Sequence, residues 1–65
     1  MKVQYDEHTD TLSIQFKMDS AIAESDEGNP GVILDYNASG EIISMEILDA
    51  SRHVSETKKI EFQTA

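Results

Sequence analysis

Apolar and polar residues alternate with a period of two from Val3 almost to Leu48. Val3 and Tyr5 are set between polar neighbours. So are Leu12, Ile14 and Phe16, and later Ile43, Met45 and Ile47. Successive side chains of a strand point to opposite faces, so this period describes strands with one buried face and one wet face. The chain is therefore expected to be mainly β: an antiparallel meander of four to five strands, with one short helical turn near residues 49–54.

The punctuation of the chain divides it into those strands. Residues 2–5 read as the first. Asp6-Glu7-His8-Thr9-Asp10 is a polar loop of hairpin length. Residues 11–17 make the second strand, and Asp19 and Ser20 break it. Residues 21–23 are expected as a short third strand, and residues 24–31 as a loop marked by Gly28, Pro30 and Gly31. Residues 32–36 form the next strand. Residues 37–40 turn it back, with Gly40 supplying a positive φ, and residues 41–48 return antiparallel. Asp49 is placed to cap a helical turn through Val54, its carboxylate accepting a backbone N–H at the helix start. Residues 58–63 alternate again, with Ile60 and Phe62 on one side, and are expected as an edge strand.

The inward set is then Val3, Tyr5, Leu12, Ile14, Phe16, Val32, Leu34, Tyr36, Ile43, Met45 and Ile47. One short helical turn cannot cover so many side chains, and a sheet needs a second layer over its apolar side. The chain has 65 residues and no cysteine, so it is expected to be one small domain, residues 1–65, without disulfides or thiolate metal sites. Domains of this size bury only about 60% of the surface their unfolded chain exposes. Either the sheet curls on itself or a second copy covers it, and a homodimer is the expectation.

Charge narrows the partners. Lys and Arg number 5 against 13 Asp and Glu, a net charge of −8. Nucleic acid binding gains free energy when Lys and Arg displace counterions from phosphates. Lys2, Lys17, Arg52, Lys58 and Lys59 are too few and too scattered for that, so the chain alone is not expected to bind nucleic acid. An acidic surface serves solubility or a basic protein partner. Met1-Lys2-Val3-Gln4-Tyr5 is already strand-like, so no signal peptide is expected, and no apolar run approaches the roughly 20 residues of a membrane span. A cytoplasmic protein without membrane attachment is the expectation, and no cofactor is expected.

Three stretches together carry a family resemblance. The first is Val3-x-Tyr5-Asp6 followed by Asp10-Thr11-Leu12-x-Ile14-x-Phe16. The second is Ala23-Glu24-Ser25 followed by Pro30-Gly31-Val32-Ile33-Leu34-Asp35-Tyr36. The third is Gly40-x-Ile42-x-x-x-Glu46-Ile47-Leu48-Asp49-Ala50-Ser51. Their order and spacing resemble the small prokaryotic family catalogued as domain of unknown function 2283, DUF2283, over nearly the whole chain. The resemblance implies a compact β-rich domain without an established activity. Some members are reported beside small toxin-like genes, which implies an antitoxin-like role and transfers no catalytic residue to this chain.

Four clusters of polar residues invite chemistry, each against a plainer reading. Asp6, His8 and Asp10 sit two apart, and an imidazole with two carboxylates suits zinc or iron. Asp and Thr are also ordinary turn formers, because their oxygens bond nearby backbone N–H groups. Asp49, Ser51 and His53 lie too close together in sequence for a triad converging from separate rigid elements, and nothing Gly-rich supplies an oxyanion hole. Asp35 and Glu46 nearly face one another in the second hairpin, yet both fall on its outward side. Glu24, Asp26 and Glu27 form an acidic loop suited to a basic partner or to solvent. No catalytic residue is assigned. The expected function is an acidic protein-interaction module using Glu24, Asp26 and Glu27, with Ile33, Ile42 and Leu48 as apolar anchors. The alternative is a small-ligand or metal-binding domain resting on the His8 loop.

Overall fold

A computed structural model describes all 65 residues. Five strands form one antiparallel sheet: β1 (Lys2–Asp6), β2 (Thr11–Gln15), β3 (Glu24–Asn29), β4 (Val32–Tyr36) and β5 (Ile42–Ile47). A four-residue helix, α1 (Ala50–His53), follows. The protein is therefore mainly β, as the alternation requires. The order across the sheet is β1-β2-β5-β4-β3. The last strand in sequence thus lies in the middle, between β2 and β4, and the segment joining β2 to β3 crosses over the end of the sheet.

The register sorts the side chains into rows. Val3, Ile14, Met45 and Leu34 lie side by side across four strands, and Asp26 ends the row on β3. Tyr5, Leu12, Ile47 and Val32 make the next row on the same face, ended by Asn29. The opposite face carries Lys2, Gln15, Ser44, Asp35 and Ser25 in one row, and Gln4, Ser13, Glu46 and Ile33 in another. One face is apolar from β1 to β4 and the other is polar, which is what a period of two produces when neighbouring strands keep register.

Four local expectations are corrected. Residues 24–29 form strand β3, not a loop, and residues 21–23 precede it without strand pairing beyond the Ala23 N–H donated to the Tyr36 carbonyl at 2.8 Å. The sequence Glu-Ser-Asp-Glu-Gly-Asn is poor in strand formers. Pairing with β4 overrides that preference, helped by the Ser25 hydroxyl donating to Asp35 Oδ1 at 2.6 Å. Residues 58–63 form no strand, because neither sheet edge pairs with them. Asp49 does not cap α1 with its side chain: it sits in the left-handed region at φ 50, ψ 48. An N-cap carboxylate reaches the first turn from extended backbone, so this geometry turns that of Asp49 away.

The inward set is half-buried instead of buried, apart from Phe16, which is exposed, and Ile43. Only Ile43, at 3% exposure, and Ala50, at 0%, are enclosed. Ile43 lies at the bulge where β5 slips register against Tyr36, and its carbonyl accepts the N–H groups of both Phe16 and Lys17, at 2.8 and 3.2 Å. The chain leaving β2 folds over it there. Elsewhere only the tail, at Thr57, Lys58 and Ile60, lies near the apolar side chains of β1 and β2. The molecule is a slab of 32 × 31 × 20 Å with a radius of gyration of 12.5 Å, where a compact chain of this length would have about 10.7 Å.

Candidate functional site

Asp10 organises the end of the sheet where β2 begins. It occupies the left-handed region at φ 52, so its backbone and side chain both face the start of α1. Its carbonyl accepts the Ala50 N–H at 2.8 Å. Its carboxylate accepts the Ser51 N–H at 3.1 Å and the Ser51 hydroxyl at 2.6 Å, and also the Tyr5 phenol at 2.6 Å. Asp10 thus does for α1 what Asp49 was expected to do. The first helical N–H groups lack partners inside any helix, and here a carboxylate from a distant hairpin supplies them. The Ser51 hydroxyl, then the Tyr5 phenol, hold the Asp10 carboxyl below its ordinary range. The same bond to Asp10 is the main cause raising the Tyr5 phenol above its ordinary value.

That arrangement separates the candidate metal ligands. Asp6 Oδ1 accepts the His8 backbone N–H at 2.9 Å, the local turn bond of an Asx motif. Asp10 is committed to Ser51 and Tyr5, and Glu7 pairs with Lys58 of the C-terminal tail, which raises the Lys58 pKa. No three His, Asp or Glu side chains come together as a metal-holding group. The Asp49, Ser51 and His53 cluster is likewise divided, since the Ser51 hydroxyl donates to Asp10 and His53 lies against Gly31.

Asp35 stands opposite Ser44, and Glu46 opposite Ile33, so the two carboxylates share the polar face one pair apart. Asp35 accepts hydroxyl hydrogens from Ser25 at 2.6 Å and Ser44 at 2.7 Å, which ties β3, β4 and β5 together across the row. A shallow cavity of about 200 Å³ lies over this face, floored by Gln4, Ser13, Gln15 and Asp35 and walled by Lys17 and Ile22. At the β4–β5 turn, Asn37 Oδ1 accepts the N–H groups of Ser39 and Glu41, each at 3.0 Å. Its amide, followed by the Lys17 ammonium, holds the Glu41 carboxyl below its ordinary range.

Glu24, Asp26 and Glu27 all lie on β3, exposed, at one edge of the sheet. They do not share a face. Glu24 stands opposite Tyr36 and Asp26 opposite Leu34, both at the rim of the apolar face. Glu27 instead accepts the Gly31 N–H at 2.9 Å and steadies the turn into β4. A register irregularity between Asp26 and Asn29 breaks the ladder there. Inward-pointing charge and bulges are what keep an exposed edge from pairing with its own kind.

Among the expected anchors, Ile33 is half-buried on the polar face, Leu48 is half-buried and donates its N–H to Gly31, and Ile42 is 42% exposed. The tail does not cover them. Ile60 instead lies near Val3, Tyr5 and Leu12, at the β1 rim of the apolar face, and remains 64% exposed. Sequence reasoning missed the Asp10–Ser51 link, because nothing local to either residue signals it.

No helix is long and apolar enough to cross a membrane. No curated protein and no solved structure matches the chain. A family model described as a protein of unknown function, DUF2283, matches residues 2–51. The match takes in all five strands together with both Asp10 and Ser51.

Proposed function

The chain belongs to the DUF2283 family of proteins of unknown function, and from that premise we propose that it is a small acidic protein-interaction module. Its specific form is an antitoxin-like partner that binds a small basic protein in the cytoplasm. The observation that carries the reading is the edge strand β3, with Glu24, Asp26 and Glu27 all exposed along it.

An edge strand offers a free row of backbone N–H and C=O groups to an incoming strand. Like charges directly opposite one another oppose pairing, and opposite charges favour it. The carboxylates on β3 therefore repel a second β3 and favour a strand bearing Lys or Arg. The net charge of −8 speeds the encounter with a cation-rich partner. Ile42, exposed at the end of β5, stands in one row with Glu24 across Tyr36 and offers an apolar anchor two strands in from the charge.

Affinity purification of the tagged chain from its native host tests the reading, run beside a variant with Glu24, Asp26 and Glu27 changed to Lys. The expected result is a small basic protein in stoichiometric amount. It should be lost at raised salt and lost from the variant, whose circular dichroism stays that of the sheet. Recovery of a small polar molecule or a metal without any protein would replace this reading with ligand binding, and the polar-face cavity would be the place to look.

A further inference from the structure

The apolar face of the sheet is the largest feature that the chain's own fold leaves unused. Its two rows, Val3-Ile14-Met45-Leu34 and Tyr5-Leu12-Ile47-Val32, contain no charged residue. None of these side chains is enclosed, although six of the eight lie on the three inner strands β2, β5 and β4. Charge and amide begin only at the β3 rim, with Glu24, Asp26 and Asn29. An apolar centre bounded by a polar rim is the anatomy of a stable protein interface.

The area is of the size one side of a dimer needs. The chain exposes 5067 Å², whereas a folded monomer of 7.2 kDa is expected to expose about 4,100 Å². The excess, about 900 Å², is close to the roughly 800 Å² that one partner contributes to a standard interface. Part of it belongs to the tail, whose Ile60 already lies at the β1 rim of this same face. A basic partner is drawn to the carboxylates at the edge and finds no carboxylate in these rows. A second copy presents a matching flat apolar face and is present wherever the first copy is.

We propose that two copies of this chain pack apolar face to apolar face about a twofold axis, forming a two-layer sandwich. Facing sheets in such sandwiches stand about 10 Å apart with their side chains interleaved. Ile14, Met45, Leu34, Val32 and Ile47 then form the centre of an isologous interface, each meeting the same patch of the other copy. The tails, with Ile60, close over the β1 rims. The β3 strands and their carboxylates stay outside. This inference is independent of the basic partner, and the two respond oppositely to salt. Two copies each at −8 repel, so screening tightens the dimer, while screening weakens attraction to a cationic protein.

Sedimentation equilibrium of the full chain at micromolar concentration, at low and raised salt, reads the mass. The expected result is twice 7.2 kDa, held more firmly at raised salt. Isotope-filtered nuclear Overhauser spectra on a mixed labelled and unlabelled sample then read the face. Contacts between copies are expected at the methyls of Ile14, Leu34, Met45 and Ile47. A chain of 7.2 kDa at both salt concentrations overturns the proposal. So does a dimer whose contacts between copies fall on the polar face, at Ile33, or a face protected only when a basic protein is added. Met45→Glu, with a charge at the centre of the face, is expected to give a smaller particle. The wild-type mass and contacts decide the matter even if that variant fails to fold.

Discussion

Asp10 and Ser51 stand 41 residues apart in the chain: the Asp10 carboxylate accepts the Ser51 N–H, shared between its two oxygens at 3.1 and 3.3 Å, and the Ser51 hydroxyl at 2.6 Å. The contact fixes a helix of four residues, far too short to be stable by itself, onto the end of the sheet. It also places Ala50 where no solvent reaches it.

Asp10→Asn should loosen α1 without dissolving the sheet. A neutral amide accepts hydrogen bonds more weakly than a carboxylate. Faster amide exchange at residues 50–54, with unchanged exchange in β2 and β5, is the expected result, read by two-dimensional NMR. Equal acceleration throughout would mean that the contact supports the whole fold.

The same contact gives α1 a pH window. The folded Asp10 carboxyl lies below its ordinary value of 3.8, so its contribution is fully present above that pH and is lost as pH falls through the lower folded value. The Tyr5 phenol lies above its ordinary value of 10.0, so its contribution is present below that pH and is lost as pH rises through the folded value. The Ser51 amide resonance should therefore move at both extremes and hold steady between them.

Ile43→Ala is expected to cost about 2–5 kcal/mol, the range for a truncated buried aliphatic side chain. Ile14→Ala should behave differently, because Ile14 is half-buried within one chain and central to the apolar face. Urea midpoints at two protein concentrations separate them. Ile43→Ala lowers both alike, and Ile14→Ala reduces the dependence on concentration.

Gly31 and Gly40 hold φ values of 82° and 81°, where an L side chain is strained. Replacing either by Ala should cost about 1–2 kcal/mol. Gly40 opens onto empty space, whereas a Cβ on Gly31 would sit 3.4 Å from His53 Nε2. Gly31→Ala should therefore also shift the His53 ring resonances, and Gly40→Ala should leave them alone.

The isolated chain should not retard random duplex DNA at physiological salt, given its net charge of −8. Gel retardation checks this directly. A salt-sensitive shift at micromolar protein would show that the scattered cations are gathered into one surface.

Legibility in the sequence followed the range of the interaction. The period of two exposed β1, β2, β4 and β5, because one buried face stamps itself on each strand. Asn37 and Gly40 marked the turn, because their chemistry acts within a few residues. β3 escaped notice: its residues prefer loops, and only the unpaired edge of β4 makes a strand of them. Asp49 was the natural local cap for α1. Asp10 took that place through a contact no window of neighbouring residues contains. The carboxylates of β3 were legible as acidic, but their division between the rim of the apolar face and the Gly31 turn follows from the register alone.

The place of β5 shapes how this protein comes to be folded. A hairpin alone is marginal in water, and β1–β2 shares no neighbour with β3–β4 until β5 lies between them. Ile47 must find Leu12 as well as Val32, which means closing a long loop before the reward arrives. Until residues 42–47 take their place, each hairpin has its apolar side bare and no neighbouring strand to steady it. A chain truncated before Ile42 is therefore expected to hold neither hairpin firmly and to leave its apolar side chains bare, the kind of surface a chaperone recognises.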